Sequence, residues 1–122
     1  MPHSFWRKIP EKRRAKIMNA LKGRGLYWLT RLQRSQIGVI AHELDIPTKR
    51  LYEHLQELRK EGVKAENLAE RMVQDLTEIR ELMNETNLHP GKIKQALGYR
   101  TISSVMDEMR EHADQMKAMQ GQ

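Results

Sequence analysis

The sequence predicts an all-α fold, a small helical bundle that forms one domain or at most two very small ones. Apolar residues recur every three or four positions along most of the 122-residue chain, which is the period of an amphipathic helix. Clusters of glycine, proline and other turn-forming residues interrupt this period at a few points. Eight methionines and an aromatic content of 5% are typical of small helical proteins with adaptable contact surfaces.

The first part of the chain is predicted to be an arm followed by two helices. Residues 1–9 should form a short basic arm that Phe5 and Trp6 anchor. A helix is expected over residues 10–22, because a proline opens this segment and glycines follow it. Leucines and a tryptophan mark a further helix over residues 26–32.

Residues 35–62, which we call the first corner, have the spacing that points most directly to a function. Two short amphipathic helices are predicted on either side of a break at Asp45. The corner needs a small residue where the helices touch, supplied by Ala41, and an apolar residue just past the turn, supplied by Ile46. The apolar positions that define the two helices are Ile37, Ile40, Leu44, Leu51, Leu55 and Leu58. Together with the preceding helix predictions, the first corner completes a basic helical module over residues 10–62.

The spacing of the first corner resembles the winged-helix branch of the helix-turn-helix DNA-binding superfamily. The residues that match are Ala41, Leu44, Ile46, Leu51 and Leu55, and the resemblance covers about a quarter of the chain. It implies that the second helix inserts its N-terminal part into the major groove. No β-hairpin wing is expected, because the residues after Val63 have the pattern of a helix. The alternative is a purely structural corner, since corners inside helical bundles need similar residues.

The resemblance assigns base contacts to the start of the second helix. Lysine and arginine can pair with guanine in the major groove, and hydroxyl groups can reach bases or phosphates. The predicted contacts in the first corner are Thr48, Lys49, Arg50 and Tyr52.

Positive charge is concentrated in one part of the chain. The net charge is +6, yet residues 7–34 hold ten lysines or arginines and one acid, Glu11. The positive charges in this segment repel one another unless an anion lies against them, and phosphates are the usual anion. Charge alone leaves DNA, RNA and anionic lipid open as partners. The predicted phosphate contacts are Lys12, Arg13, Arg14, Lys16, Lys22, Arg24, Arg31 and Arg34.

The second half of the chain is predicted to be a long helix followed by a second corner. Residues 63–87 combine an apolar stripe with an acidic surface, and the stripe must pack on the rest of the chain or on a second copy. In residues 88–122 a turn near Gly98 separates two helical patterns, and its length resembles that of SOS-repressor-type winged helices. The alternative for the polar residues after this turn is that they cap a packing helix. The predicted nucleic-acid contacts there are Arg100, Thr101 and Ser103.

Catalysis is not expected, and the sequence predicts no cofactor or metal site. The chain has no cysteine, which excludes disulfides, thiolate chemistry and cysteine-ligated zinc. His42 and Glu43 begin like the zinc-protease motif HExxH, but Ile46 replaces the second histidine. No apolar stretch has the length of a membrane span, so we expect no membrane association and a cytoplasmic location.

These observations predict a sequence-specific DNA-binding protein, a transcriptional regulator of bacterial or phage type that acts as a homodimer. Two alternatives remain open. The protein could be a non-catalytic subunit that binds RNA or a nucleoprotein through its basic surface. It could also be a helical adaptor that binds another protein.

Overall fold

Six helices follow one another in the computed structural model, which describes residues 6–22 and 30–121 and gives the backbone alone for Lys22 and Arg31. A helical turn at residues 6–8 precedes them, and the described residues contain no strand. The predicted all-α bundle is therefore confirmed. The helices are α1 (Glu11–Lys22), α2 (Arg31–Glu43), α3 (Thr48–Lys60), α4 (Ala65–Thr86), α5 (Pro90–Leu97) and α6 (Ile102–Gln120). None of these six is long and apolar enough to cross a membrane.

Helix α2 begins at Arg31, near the end of the segment 26–32 in which a separate helix was predicted. Thr30 has an extended backbone, and its hydroxyl oxygen accepts a hydrogen bond from the Gln33 amide at 3.0 Å. The Gln33 side chain accepts one from the Thr30 amide at 3.1 Å, which completes a capping box. Leu32 is therefore part of α2, and it is 47% exposed. Leu32 thus belongs to the continuous helix from Arg31 to Glu43, and residues 26–29 of the helix predicted over residues 26–32 lie outside the described residues.

Helix α4 supplies the centre of the core. Leu68, Met72, Leu76 and Ile79 are fully buried, and α4 packs against α2, α3 and α6. The sequence left open whether this stripe packs within the chain or on a second copy. It packs within the chain, so these residues are not a surface for dimerisation.

Trp6 lies against Gly38 in the middle of α2. A Cβ added to Gly38 would lie 1.8 Å from Cζ3 of the Trp6 ring, a distance that no side chain tolerates. Glycine inside a helix costs about 1 kcal/mol relative to alanine. Here the glycine lets the indole approach the helix backbone. The expected anchoring role of Trp6 is confirmed, whereas Phe5 lies outside the described residues.

The first corner joins α2 to α3 as the sequence predicted. Ala41 and Ile46 are both fully buried between the two helices. Asp45 has a φ of 53°, in the left-handed region, which lets the chain reverse direction within the short turn. The second corner joins α5 to α6 through the turn that contains Gly98.

Candidate nucleic-acid interface

Helix α1 presents two lysines to solvent. Ile17 and Leu21 are fully buried and turn one face of α1 to the core. Lys12 and Lys16 are exposed on the outer face, where the helical period places them away from this apolar pair. Neither lysine forms an ion pair with another described residue. Both remain candidates for phosphate contacts.

The arginines of α1 have a different position. Nη2 of Arg13 donates a hydrogen bond to the carbonyl oxygen of Ile46 at 2.6 Å. Nε of Arg14 donates to the carbonyl oxygen of Ile9 at 3.1 Å. Both guanidinium groups therefore hold α1 to neighbouring segments, and each uses one of its nitrogens to do so. Their phosphate contacts stay a prediction.

The remaining predicted phosphate contacts receive less support. Arg34 is half-buried on α2. The side chains of Lys22 and Arg31, and all of Arg24, lie outside what the structure describes.

The start of α3 lies beside α1. The two helices pack on each other, and Ile46, the acceptor of the Arg13 hydrogen bond, comes two residues before Thr48. Lys49 is exposed in the first turn of α3, Tyr52 is 36% exposed, and Thr48 is half-buried. This turn contains no acid. Exposed lysines therefore occur on two adjoining helices.

Arg50 faces the second corner instead of solvent. Its Nε donates to the carbonyl oxygen of Leu97 at 2.9 Å, and Nη2 lies 3.4 Å from the carbonyl oxygen of Gly98. Nη1 donates to Glu53 at 3.0 Å, which leaves the side chain 11% exposed. The prediction that Arg50 reads a base edge is therefore corrected. The Arg50 guanidinium donates hydrogen bonds to the carbonyl groups at the end of α5, which lack partners within the helix, and so joins the two corners.

Lys94 and Asp45 form a second link between the corners. Nζ of Lys94 lies 2.8 Å from Oδ2 of Asp45. Their hydrogen bond lowers the pKa of Asp45 below its usual value. The turn of the first corner is thus attached to α5 by an ion pair as well as by Arg50.

The polar residues of the second corner are also engaged within the chain. The Thr101 hydroxyl oxygen accepts a hydrogen bond from the Ser104 amide at 3.1 Å and caps α6. Nη2 of Arg100 donates to Oγ of Ser104 at 2.8 Å, and Arg100 also pairs with Glu108. These contacts correspond to the capping alternative. The predicted nucleic-acid contacts at Arg100 and Thr101 are corrected accordingly.

Ser103 belongs to a buried network of polar side chains that was not predicted from the sequence. His54 on α3 is 3% exposed, and its Nε2 lies 2.6 Å from Oδ2 of Asp75 on α4. The Ser103 hydroxyl lies 3.4 Å from Nδ1 of His54 and donates to Oε2 of Glu57 at 2.6 Å. Ser103 is therefore corrected from a base contact to a link between α6 and α3.

Asp75 is ionised at the centre of this network. Burial alone would raise the pKa of Asp75, but hydrogen bonds from His54 and Arg71 hold that pKa below its usual value. Arg71 donates through Nε to Oδ1 at 3.0 Å. Because an ionised carboxylate can only accept, Nε2 of His54 must be the donor.

A signal for this network was present in the sequence. His54 falls between Leu51 and Leu58 on the apolar face of α3, and Asp75 adjoins Leu76 on the stripe of α4. Polar residues on two buried faces must find partners, and here they find each other.

Neither a metal centre nor an activated nucleophile emerges from these groups. No cluster of three histidines, aspartates or glutamates within residues 6–22 and 30–121 could hold a metal ion. The Ser103 hydroxyl gives its proton to Glu57 and not to the imidazole of His54, so the imidazole does not activate it as a nucleophile. The polar network instead connects α3, α4 and α6.

Comparisons with protein-family models, with characterised proteins and with solved structures find no match to this chain.

Proposed function

We propose that the protein binds duplex DNA through α1 and the first turn of α3. The observation that carries the proposal is the placement of exposed lysines on these two adjoining helices: Lys12 and Lys16 on α1, and Lys49 on α3. The hydrogen bond from Arg13 to Ile46 fixes the position of one helix against the other. Exposed lysines on adjoining helices suit the dense negative charge of a duplex backbone.

The residues would divide their roles between backbone and bases. Lys12 and Lys16 would contact phosphates and set the orientation of the protein. Lys49 and Tyr52, with the Thr48 hydroxyl beside them, would reach base edges in the major groove. This is a smaller base-reading set than the sequence suggested, because the residues of the second corner are engaged elsewhere.

Arg50 would act indirectly in this mechanism. Its bonds to Leu97 and Glu53 hold the exposed face of α3 in one orientation relative to the second corner. A rigid helix loses less conformational entropy when it enters a groove. Arg50 is therefore a positioning residue in the proposal.

One aromatic ring is not available to an RNA strand. Proteins that bind single strands stack bases on free aromatic rings; Trp6, Tyr27 and Trp28 are the candidates for this role, and Tyr27 and Trp28 lie outside the described residues. The Trp6 ring instead packs on Gly38 and against the core. It is therefore not free to stack on a base.

The test is fluorescence anisotropy with a labelled duplex of about 20 base pairs and an RNA strand of equal length, at about 50 and about 200 mM salt. We expect the duplex to bind more tightly. The double variant Lys12→Gln/Lys16→Gln should lower the slope of log affinity against log salt by about 2, because each phosphate contact contributes about 0.9. Lys117→Gln, which removes an exposed lysine at the far end of α6, is the matched control and should leave the slope unchanged.

Two results would contradict the proposal. Tighter binding of the RNA strand would favour an RNA-binding subunit. An equal loss in Lys117→Gln and in the double variant would mean that total charge, and not the face of α1, determines binding.

Regulation of transcription and assembly as a homodimer form the finer part of the proposal. Selection of bound duplexes from a random pool would test the homodimer, since a two-fold protein enriches palindromic sites. A reporter gene placed behind the selected site would test regulation of transcription. A single, non-repeated motif would indicate that a monomer binds.

A further inference from the structure

Helix α3 carries an acid on the same outer face as Lys49. Glu53 follows Lys49 by one helical turn, so the two side chains are neighbours on the helix surface. The fully buried Leu51 and the buried Leu58 turn the opposite face of α3 to the core. The Glu53 side chain is 37% exposed. A carboxylate therefore lies within the surface that we propose to contact DNA.

A carboxylate at this position is unfavourable for contact with the DNA backbone. It repels the phosphates that Lys12, Lys16 and Lys49 would attract. The phosphate groups offer hydrogen-bond acceptors and no donor, so they cannot pair with an ionised carboxyl group. Donors occur instead on the edges of the bases. Glu53 is compatible with a DNA-binding surface when it faces one of these base donors.

Arg50 holds the Glu53 carboxylate in one orientation. Nη1 of Arg50 donates to Oε1 of Glu53 at 3.0 Å and lies 3.2 Å from Oε2. The same guanidinium is fixed in turn by its hydrogen bond to the carbonyl oxygen of Leu97 at 2.9 Å. The carboxylate is thus ordered in the absence of DNA, which lowers the entropy lost when it forms a further contact.

The bond to Arg50 leaves acceptor capacity on Glu53. An ionised carboxylate has about four acceptor sites on its two oxygens. Within residues 6–22 and 30–121, the donor bound to these oxygens is Nη1 of Arg50, which carries two hydrogens at most. About two acceptor sites therefore remain for a donor on the DNA.

The chemistry of the major groove identifies the base that such an acceptor selects. Cytosine presents its N4 amino group there as a donor. Guanine and thymine present acceptors, and the N6 donor of adenine adjoins the N7 acceptor, which repels a carboxylate. A carboxylate in the major groove is therefore matched best by cytosine.

We propose that Glu53 selects cytosine in the major groove and that Arg50 is its positioning residue. The N4 amino group of the base would donate to a carboxylate oxygen of Glu53, beside the contacts that Lys49 and Tyr52 make. This role rests on the proposed binding of duplex DNA, and it identifies the class of target as a duplex with a cytosine opposite Glu53.

Selection of bound duplexes from a random pool tests this role when it is done with the unaltered protein, with Glu53→Gln and with Glu70→Gln. Glu70 is exposed on α4 and provides the matched control. We expect a position in the selected motif at which cytosine predominates for the unaltered protein and for Glu70→Gln. For Glu53→Gln cytosine should lose its place there to adenine, because glutamine pairs with N6 and N7 of adenine.

Fluorescence anisotropy then measures the discrimination at that position. Replacing the cytosine–guanine pair by thymine–adenine should weaken binding about tenfold for the unaltered protein and about twofold or less for Glu53→Gln. Arg50→Met, which keeps the carboxylate but removes its partner, should give an intermediate value. A duplex of random sequence should bind Glu53→Gln more tightly than the unaltered protein, because one charge that repels phosphates is gone. A merely structural role of Glu53 would weaken binding to every duplex instead.

The outcomes separate the role of Glu53 from DNA binding itself. A cytosine preference that persists in Glu53→Gln, or an equal loss of affinity for every duplex, would overturn the role of Glu53. So would the absence of any selected cytosine. In these three cases the binding of DNA stands if the salt dependence still falls in Lys12→Gln/Lys16→Gln. No binding of any duplex by the unaltered protein would overturn both proposals.

Discussion

Replacing Asp75 with asparagine tests whether the buried polar network stabilises the fold. The Asp75 carboxylate accepts hydrogen bonds from His54 and from Arg71. Asparagine has the same shape and keeps one acceptor oxygen, but its amide nitrogen must face one of these two donors. Two donors cannot form a hydrogen bond, so either one partner loses its bond or the His54 imidazole changes tautomer and gives up its present arrangement with Ser103 and Glu57.

The expected loss in the free energy of unfolding follows from the burial of the Asp75 carboxylate. Removing one partner of a buried, hydrogen-bonded charge pair costs about 3–5 kcal/mol. The lower end applies because Arg71 is 42% exposed and water can hydrate its guanidinium. We therefore expect Asp75→Asn to lower the free energy of unfolding by about 3 kcal/mol. For a domain of this size the corresponding fall in Tm is about 12 °C.

Thermal and urea unfolding at neutral pH, followed by far-ultraviolet circular dichroism, measures both quantities. Asp114→Asn is the matched control, because Asp114 is exposed on α6 and its replacement should change stability by less than about 0.5 kcal/mol. A loss below about 1 kcal/mol in Asp75→Asn would refute the reasoning, since an ordinary neutral hydrogen bond accounts for that amount.

The same variant should alter the pH dependence of stability. Burial raises the pKa of Asp75, but the hydrogen bonds from His54 and Arg71 outweigh it and leave that pKa below its usual value. A carboxyl with a lowered folded-state pKa stabilises the fold above its unfolded-state pKa, about 4, and loses this contribution as pH falls through the folded-state value. The difference in stability between the unaltered protein and Asp75→Asn should therefore shrink below about pH 4.

Three further substitutions test other contacts. Gly38→Ala should displace the Trp6 ring and red-shift tryptophan emission; the overpacking cost of about 1–3 kcal/mol, less the gain of about 1 kcal/mol from alanine in a helix, should lower stability by up to about 2 kcal/mol, and an unchanged spectrum would mean that the ring does not contact α2. Arg50→Met should speed amide hydrogen exchange around Leu97, and unchanged exchange there would show that the two corners hold together without this side chain. Glu78→Gln removes a partly exposed ion pair with α6 and should cost no more than about 1 kcal/mol by urea unfolding; a loss above about 2 kcal/mol would mean that the pair is more than a surface contact.

The fold was predictable because its helices are strongly amphipathic. The stripe of α4, from Leu68 to Ile79, and the small and apolar residues at Ala41 and Ile46 have the positions in the structure that their spacing indicated. The start of α2 was missed because the pattern of leucines extends past Thr30. There the capping box with Gln33, a local hydrogen-bonding effect, sets the boundary.

The candidate site was harder to predict, because a sequence shows which residues are polar but not which of them face each other. Arg50 and Ser103 have the chemistry of base contacts and occur near helix starts, yet the packing of the second corner on the first gives them intramolecular partners. Lys49, one position earlier than Arg50, stays exposed. Successive side chains on a helix are rotated by about 100°, which is why Lys49 faces solvent and Arg50 faces the second corner.

The central claim is that α1 and the first turn of α3 form the surface that contacts duplex DNA. Titration of the isotope-labelled protein with duplex DNA, followed by amide chemical shifts in nuclear magnetic resonance spectra, tests it most directly. The account predicts that the largest shift changes occur at Lys12, Lys16 and Lys49, and that the exposed end of α6 around Lys117 is unaffected. Changes centred on α6, or no changes at a protein concentration where the duplex is in excess, would contradict it.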